Sequence, residues 1–206
     1  MKPSVRQNKK SILFLYEGYT EEEFYDRIFK LKLPPRSIRF TKKNLKGQFN
    51  INSKVIGKIK HHLDNKKDEK LIDVIIAYDR EGGKSTPPVL NTKMLKSEFE
   101  NEKRIKNISA IIATRDLESW FFHDFEGIAN FLKIPSKKRN PDKYRIVERH
   151  SNHDLSILFK NYGKIYYKRG KKVEGFLDSL DLEKIYQRST ELKEGIMLIK
   201  NLIEKA

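Results

Sequence analysis

Three stretches of six to eight residues are mainly apolar: Ser11–Tyr16 (SILFLY), Leu71–Tyr78 (LIDVIIAY) and Ile108–Thr114 (ISAIIAT). Each is followed at once by acidic, glycine-bearing or other polar residues. Continuous apolar runs of this length predict strands buried on both faces, the kind a parallel sheet requires. Elsewhere the period lengthens. Ile51, Val55, Ile59 and Leu63 recur at every fourth position and predict a helix over Ile51–Asn65. After the first strand, Thr20 and Glu23 have the spacing of a capping box, with Tyr19 and Phe24 at the hydrophobic-staple positions. A helix from near Glu21 to about Leu31 follows, with Phe24, Ile28 and Leu31 inward. Pro34-Pro35 breaks it, and Ser37–Thr41 reads as a short strand. Asn91–Lys103 reads as helical, and Asp116 caps a further helix carrying Glu118, Trp120 and Phe121. Strands alternating with helices predict an α/β layer fold with a mainly parallel central sheet.

The texture changes after Ile134. Ser136–Tyr144 is a basic loop, and Ser151 and Asp154 can cap a helix running to about Asn161. Gly163–Lys172 is basic again, and two or three helices fill the rest from Val173. The expected organisation is an α/β domain over residues 11–134, with a basic, mainly helical C-terminal extension, 135–206, packed on it. Residues 1–10 read as a basic tail.

Charge sharpens the picture. Among 206 residues, 44 Lys and Arg face 28 Asp and Glu, a formal net charge of +16. Such an excess suits a polyanion: DNA, RNA or an anionic membrane surface. Biased composition, rich in Ile, Lys and Asn, accounts for part of it. The chain has no cysteine, which excludes thiol catalysis, disulfides and Cys-ligated zinc. MKPSVRQNKK lacks the apolar segment of a secretory signal, and no apolar run nears the roughly 20 residues that span a bilayer. A soluble, cytoplasmic protein with no membrane association is expected. The phosphate-loop pattern G-x-x-x-x-G-K-[ST] is absent: Gly82-Gly83-Lys84-Ser85 resembles its end but lacks the first glycine.

Against this basic background the acids are selectively placed. Glu17 follows the first strand, and Asp79 and Glu81 follow the second. In an open α/β sheet, functional groups collect outside the C-terminal ends of the strands. Carboxylates gathered there repel one another unless a cation is shared, and Mg²⁺ takes hard oxygen ligands with water and phosphate completing the set. The alternative is a set of solvated turn acids.

Glu17-Gly18-x-Thr20-Glu21 after one strand and Asp79-x-Glu81 after another resemble the TOPRIM domain, found in topoisomerases, bacterial primases, recombination mediators and OLD-type nucleases. The resemblance implies a TOPRIM-like Rossmannoid fold, with Glu17 as acid, base or metal ligand and with Asp79 and Glu81 holding Mg²⁺ or Mn²⁺. The chain departs from the family in carrying Glu81 where the usual pattern is Asp-x-Asp, and Gly82 and Gly83 sit closer to the acids than usual. Thr114–Phe122 (TRDLESWFF) resembles the third-strand region of small standalone TOPRIM proteins, including RloB-like ones, and Glu118 matches their acid. Val173–Leu202 is similar to that group as well. Standalone relatives are linked to bacterial anti-phage or mobile-element systems, and some act with an ATPase partner.

Other residues stay open between two roles. Glu21 is a metal ligand, as the acid at this spacing is in OLD-type nucleases, or a first-turn acid complementing the helix dipole. Lys84 and Arg115 neutralise charge on a phosphate or are solvated. Lys137, Lys138, Arg139, Lys168, Arg169, Lys171 and Lys172, with Tyr144, Tyr166 and Tyr167 nearby, form a strand-guiding surface or a solvated face. His61 and His62 read as solvated, His150 and His153 as capping or surface residues, and His123 lies near Glu118 in sequence. The expected function is a metal-dependent nuclease acting on DNA or RNA. The alternatives are a non-catalytic nucleic-acid-binding module and a subunit activated by an ATPase partner. Monomer and homodimer both remain open.

Overall fold

A computed structural model describes residues 10–35, 38–66, 71–80, 89–166 and 171–204. Four strands, β1 (Lys10–Tyr16), β2 (Ile38–Asn44), β3 (Ile72–Asp79) and β4 (Ile105–Ala113), form one sheet in the order β2-β1-β3-β4. Every pairing in it is parallel. The α/β fold with a parallel sheet is the one the alternation predicts. Helix α1 (Tyr19–Lys32) links β1 to β2, α2 (Ile51–Asn65) links β2 to β3, and α3 (Thr92–Glu98) precedes β4. The chain therefore leaves β1 toward one edge and β3 toward the other. A switch of this kind opens a crevice between the C-terminal ends of the two strands.

Alternation along the strands builds two cores. Ile12, Phe14 and Tyr16 of β1, with Ile75 and Ala77 of β3, face α1. Leu13, Leu15, Val74, Ile76 and Tyr78 face α2 and α3, where Val55, Ile59 and Leu95 are fully buried. Helix α2 keeps the expected bounds and buries all four of its periodic residues.

Beyond β4 lie α4 (Leu117–Phe121), α5 (Phe125–Leu132), α6 (Asn152–Asn161), α7 (Lys171–Leu177), α8 (Leu182–Arg188) and α9 (Thr190–Glu204). Asp116 caps α4 by accepting the Ser119 N–H, and Ser151 with Asp154 forms a capping box at α6. The α1 face of the sheet is covered by residues from the whole second half of the chain, including Trp120, Phe121, Phe159, Phe176, Ile185 and Ile196.

Four expectations fail locally. The helix expected over Asn91–Lys103 stops at Glu98, and turns lead from it to β4. The Thr20–Glu23 capping box does not form: α1 begins at Tyr19 with Gly18 as its N-cap, and Thr20 is buried inside the first turn. Glu23 instead pairs with Arg27 one turn on, at 2.6 Å. Leu31 is 48% exposed, because the buried arc of α1 ends at Phe29. His62 is buried, because it adjoins Leu63 on the inward side of α2.

Helix α9 lies along the edge strand β4 through a glycine. A Cβ built on Gly195 would stand 2.7 Å from Cγ2 of Ile111 and 3.0 Å from its Cγ1. Ile111 is buried and its β-branched side chain has little rotamer freedom with which to yield. Gly195→Ala is therefore expected to destabilise the fold by about 1–3 kcal/mol, against the roughly 1 kcal/mol that alanine normally gains in a helix. Urea unfolding measures it, and an unchanged or raised midpoint would show that α9 does not need this close approach.

Candidate metal and catalytic site

Glu17 is the first residue after β1, and Asp79 is the last residue of β3. Their strands are neighbours, so both acids stand at the switch-point crevice. Backbone bonds fix them. The Asp79 N–H donates to Glu17 Oε1 at 2.9 Å, and the Leu117 N–H at the start of α4 donates to Asp79 Oδ1 at 3.0 Å. The loop after β2 ties the same two residues through their carbonyls: the Gly47 N–H reaches Glu17 O at 3.0 Å and Gln48 Nε2 reaches Asp79 O at 2.6 Å. Glu17 and Asp79 are each 8% exposed.

Two more acids approach. Glu118, in the first turn of α4, is buried, and the Tyr166 hydroxyl donates to its Oε1 at 3.1 Å. Tyr166 also hydrogen-bonds Thr20, which gives that residue its role inside α1. Glu21 folds back over Gly18, its Oε2 lying 2.8 Å from where a Cβ would stand on that glycine. A side chain at position 18 would displace this carboxylate. Burial, and then the negative charges of Glu21, Glu118, Glu17 and Asp116, push the Asp79 carboxyl well above the ordinary range. Burial, and then the charges of Asp79, Glu21, Glu191 and Glu17, hold the fully buried Tyr25 phenol in its protonated form.

A cation would relieve this crowding, and the donors are all carboxylate oxygens, which fit Mg²⁺ or Mn²⁺. Among the described residues no three Asp, Glu or His side chains could hold an ion by themselves. A cation would need further ligands from elsewhere in the chain, from water or from a substrate phosphate, the usual situation for Mg²⁺. Glu81 and Lys84 lie outside the described residues, as do Lys168 and Arg169. The side chains of Lys171 and Lys172 lie outside the description too.

Lys137 and Lys138 are exposed in a 3₁₀ turn. Arg139 is tied to Glu126 at 2.7 Å and to the Ile134 carbonyl at 3.0 Å. Arg115 donates to the Glu148 carbonyl at 3.0 Å. His123 lines a separate cavity of about 170 Å³ with Ser119, Arg188 and Glu191, and burial lowers its pKa to about 4. His61 and His153 are exposed, while the His150 ring lies 5.0 Å from those of Phe122 and Tyr144.

Glu191 escapes sequence reasoning altogether. From the first turn of α9 it accepts hydrogen bonds from the Thr114 N–H at 3.1 Å, the Thr114 hydroxyl, and Trp120 Nε1 at 3.1 Å. It thus holds the turn between β4 and α4, on which Asp116 sits and from which α4 carries Glu118. Asp116 Oδ2 in turn accepts the Asn152 N–H at 2.7 Å, fastening α6 to the same turn. Only the acid at a helix start was a local signal for Glu191, and it says nothing of a partner about 77 residues away.

A family model described as a domain of unknown function, DUF4276, matches residues 16–194. No curated protein matches the chain. Two solved structures share its fold. The C-terminal region of the Burkholderia pseudomallei OLD protein aligns with a TM-score of 0.53 at 13% identity, over 95% of this chain and 98% of that one. The C-terminal region of the Xanthomonas campestris pv. campestris OLD protein aligns with a TM-score of 0.50 at 14% identity, over 96% and 98%.

The raised Asp79 carboxyl sets a pH dependence. A carboxyl whose pKa rises on folding contributes stability below its unfolded value and loses it as pH climbs through the folded value. Asp79→Asn keeps an oxygen for the Leu117 N–H and removes the charge. In chelator at mildly alkaline pH the variant is expected to melt roughly 3–6 °C above the wild type, with the gap closing toward acid pH. Added Mg²⁺ should raise the melting temperature of the wild type alone. Parallel melting curves across the pH range would refute the crowding.

Proposed function

The chain belongs to the DUF4276 family, a domain of unknown function, and from its acidic crevice we propose a Mg²⁺- or Mn²⁺-dependent TOPRIM nuclease that hydrolyses phosphodiester bonds of DNA or RNA. One observation carries the reading: two neighbouring parallel strands deliver Glu17 and Asp79 to the switch-point crevice, with Glu118 and Glu21 close enough to raise the Asp79 carboxyl. The fold shared with the OLD C-terminal regions and the TOPRIM-like motifs support it.

In this proposal Glu17, Asp79 and Glu81 hold the ion, and Glu21 and Glu118 add negative charge beside it. When bound, the ion supplies Lewis-acid stabilisation of the scissile phosphate and lowers the pKa of water. Glu17, oriented by the Asp79 N–H, takes or returns a proton at the attacking or leaving oxygen. Tyr166 fixes the Glu118 carboxylate. Lys84 has the role of neutralising charge that develops on the phosphate. Lys137, Lys138, Arg139, Lys168, Arg169, Lys171 and Lys172 steer the polyanion, within a net charge of +16. The resemblance to standalone TOPRIM proteins extends the proposal to a cytoplasmic role in anti-phage or mobile-element systems, as monomer or homodimer.

A second reading has its own observation. Glu81 stands where the usual TOPRIM pattern has a second Asp, which favours a module that binds nucleic acid without cutting it, or a subunit activated by an ATPase partner.

Cleavage of plasmid, single-stranded DNA and total RNA with Mg²⁺, Mn²⁺ or chelator tests the proposal. Metal-dependent cutting should fall by at least about a hundredfold in both Glu17→Gln and Asp79→Asn. A wild type that binds but cuts nothing would replace the nuclease by the second reading.

A further inference from the structure

A further polar pocket lies between α5 and the basic extension. Phe125, Ile134, Lys138, Asn140, Lys143, Tyr144, Leu158, Asn161 and Tyr162 line a cavity of about 340 Å³. That volume is at the lower end of small-molecule sites and suits one nucleotide. Among the described residues no carboxylate lines it, whereas Glu191 lines two other cavities on the α9 side.

The pocket is rigidly mounted. Tyr144 stacks on Phe125 at 4.6 Å and on Phe122 at 5.1 Å. His150 Nε2 lies 3.1 Å from the Lys143 carbonyl and pins the same turn. Lys143 Nζ lies 5.4 Å from the centre of the Tyr144 ring. Asn140 Oδ1 accepts the Lys143 N–H at 3.2 Å, which leaves its amino group as the donor it offers. Asn161 is exposed at the end of α6, and Tyr162 is half-buried beside it.

The contents match one chemistry. Two ammonium groups attract a phosphate, two carboxamides can hydrogen-bond the edge of a base, and a part-exposed phenol ring offers a face for stacking. A base held in a duplex cannot enter such a cavity without first leaving its stack. We propose that this pocket takes an unpaired nucleotide, so that the chain engages single-stranded nucleic acid in preference to duplex. The inference rests on the nucleic-acid reading of the acidic crevice and names its substrate class. The same turn that mounts the pocket packs against Phe122, immediately after the helix that carries Glu118.

Fluorescence anisotropy of the full chain with a short labelled oligothymidylate, and with a duplex of equal length, tests it in chelator, where no metal-dependent cutting intervenes. Lys143→Ala, Asn161→Ala and Tyr162→Ala should each weaken single-strand binding by about tenfold and duplex binding by less than about twofold. Lys143 and Asn161 are exposed, so their replacement spares the core. Lys60→Ala, on α2 and paired with Glu98, is the control and should change neither. Equal losses on both substrates, or an unchanged single-strand affinity, would overturn the inference. Metal-dependent cleavage by the wild type and by Asp79→Asn, assayed separately with Mg²⁺ on the same single-stranded and duplex substrates, separates the two proposals. If the nuclease reading fails, the preference for single strands persists without any metal-dependent cutting. If the pocket fails, cutting persists without the preference.

Discussion

Repulsion among carboxylates at the mouth of the β1–β3 crevice is the constraint around which the second half of the chain is organised. Burying Asp79 beside Glu17, Glu21 and Glu118 raises its pKa well above the ordinary range, so the arrangement opposes folding unless charge is neutralised or polar donors are supplied. The fold supplies donors: two backbone N–H groups, at Asp79 and Leu117, and one tyrosine hydroxyl. These orient the carboxylates without cancelling their charge. What remains is a negative crevice in a strongly positive protein, a combination that attracts divalent cations locally and polyanions at longer range.

The C-terminal helices complete the crevice as well as the core. Tyr166 reaches Glu118, Glu191 braces the turn before α4, and Asn152 fastens to Asp116. On the other side Glu174 accepts from the Tyr19 hydroxyl at 2.7 Å, and Asp178 pairs with Arg27 at 2.8 Å. Helix α1, which opens directly after Glu17, is thereby tied to α7. Displacing α7–α9 would disturb the acids through these contacts.

Much of the fold could be read along the chain. The apolar runs became β1, β3 and β4, the four-residue period became α2, and the caps Asp116 and Ser151 were found in place. Glu17 and Asp79 were legible because a parallel sheet always presents its strand ends on one side, and an acid directly after an apolar run is a local pattern. The Thr20–Glu23 capping box was a local pattern too, and it lost. Gly18 in extended conformation starts the helix early, Thr20 turns inward to Tyr166, and Glu23 finds Arg27.

The sequence by itself determined the periods, the breaks and the charge: which segments could be strands, where acids would follow them, and that the surface would be basic. These depend on residues within a few positions of one another. Only the tertiary structure decided the strand order β2-β1-β3-β4, and with it the adjacency of Glu17 and Asp79. It also decided the pairing of Tyr166 with Glu118, the bracing by Glu191, and the assembly of Lys138, Lys143, Asn161 and Tyr162 around one pocket. Each of these joins residues distant in sequence, and their encounter is set by how two apolar faces of one sheet are covered rather than by any local preference.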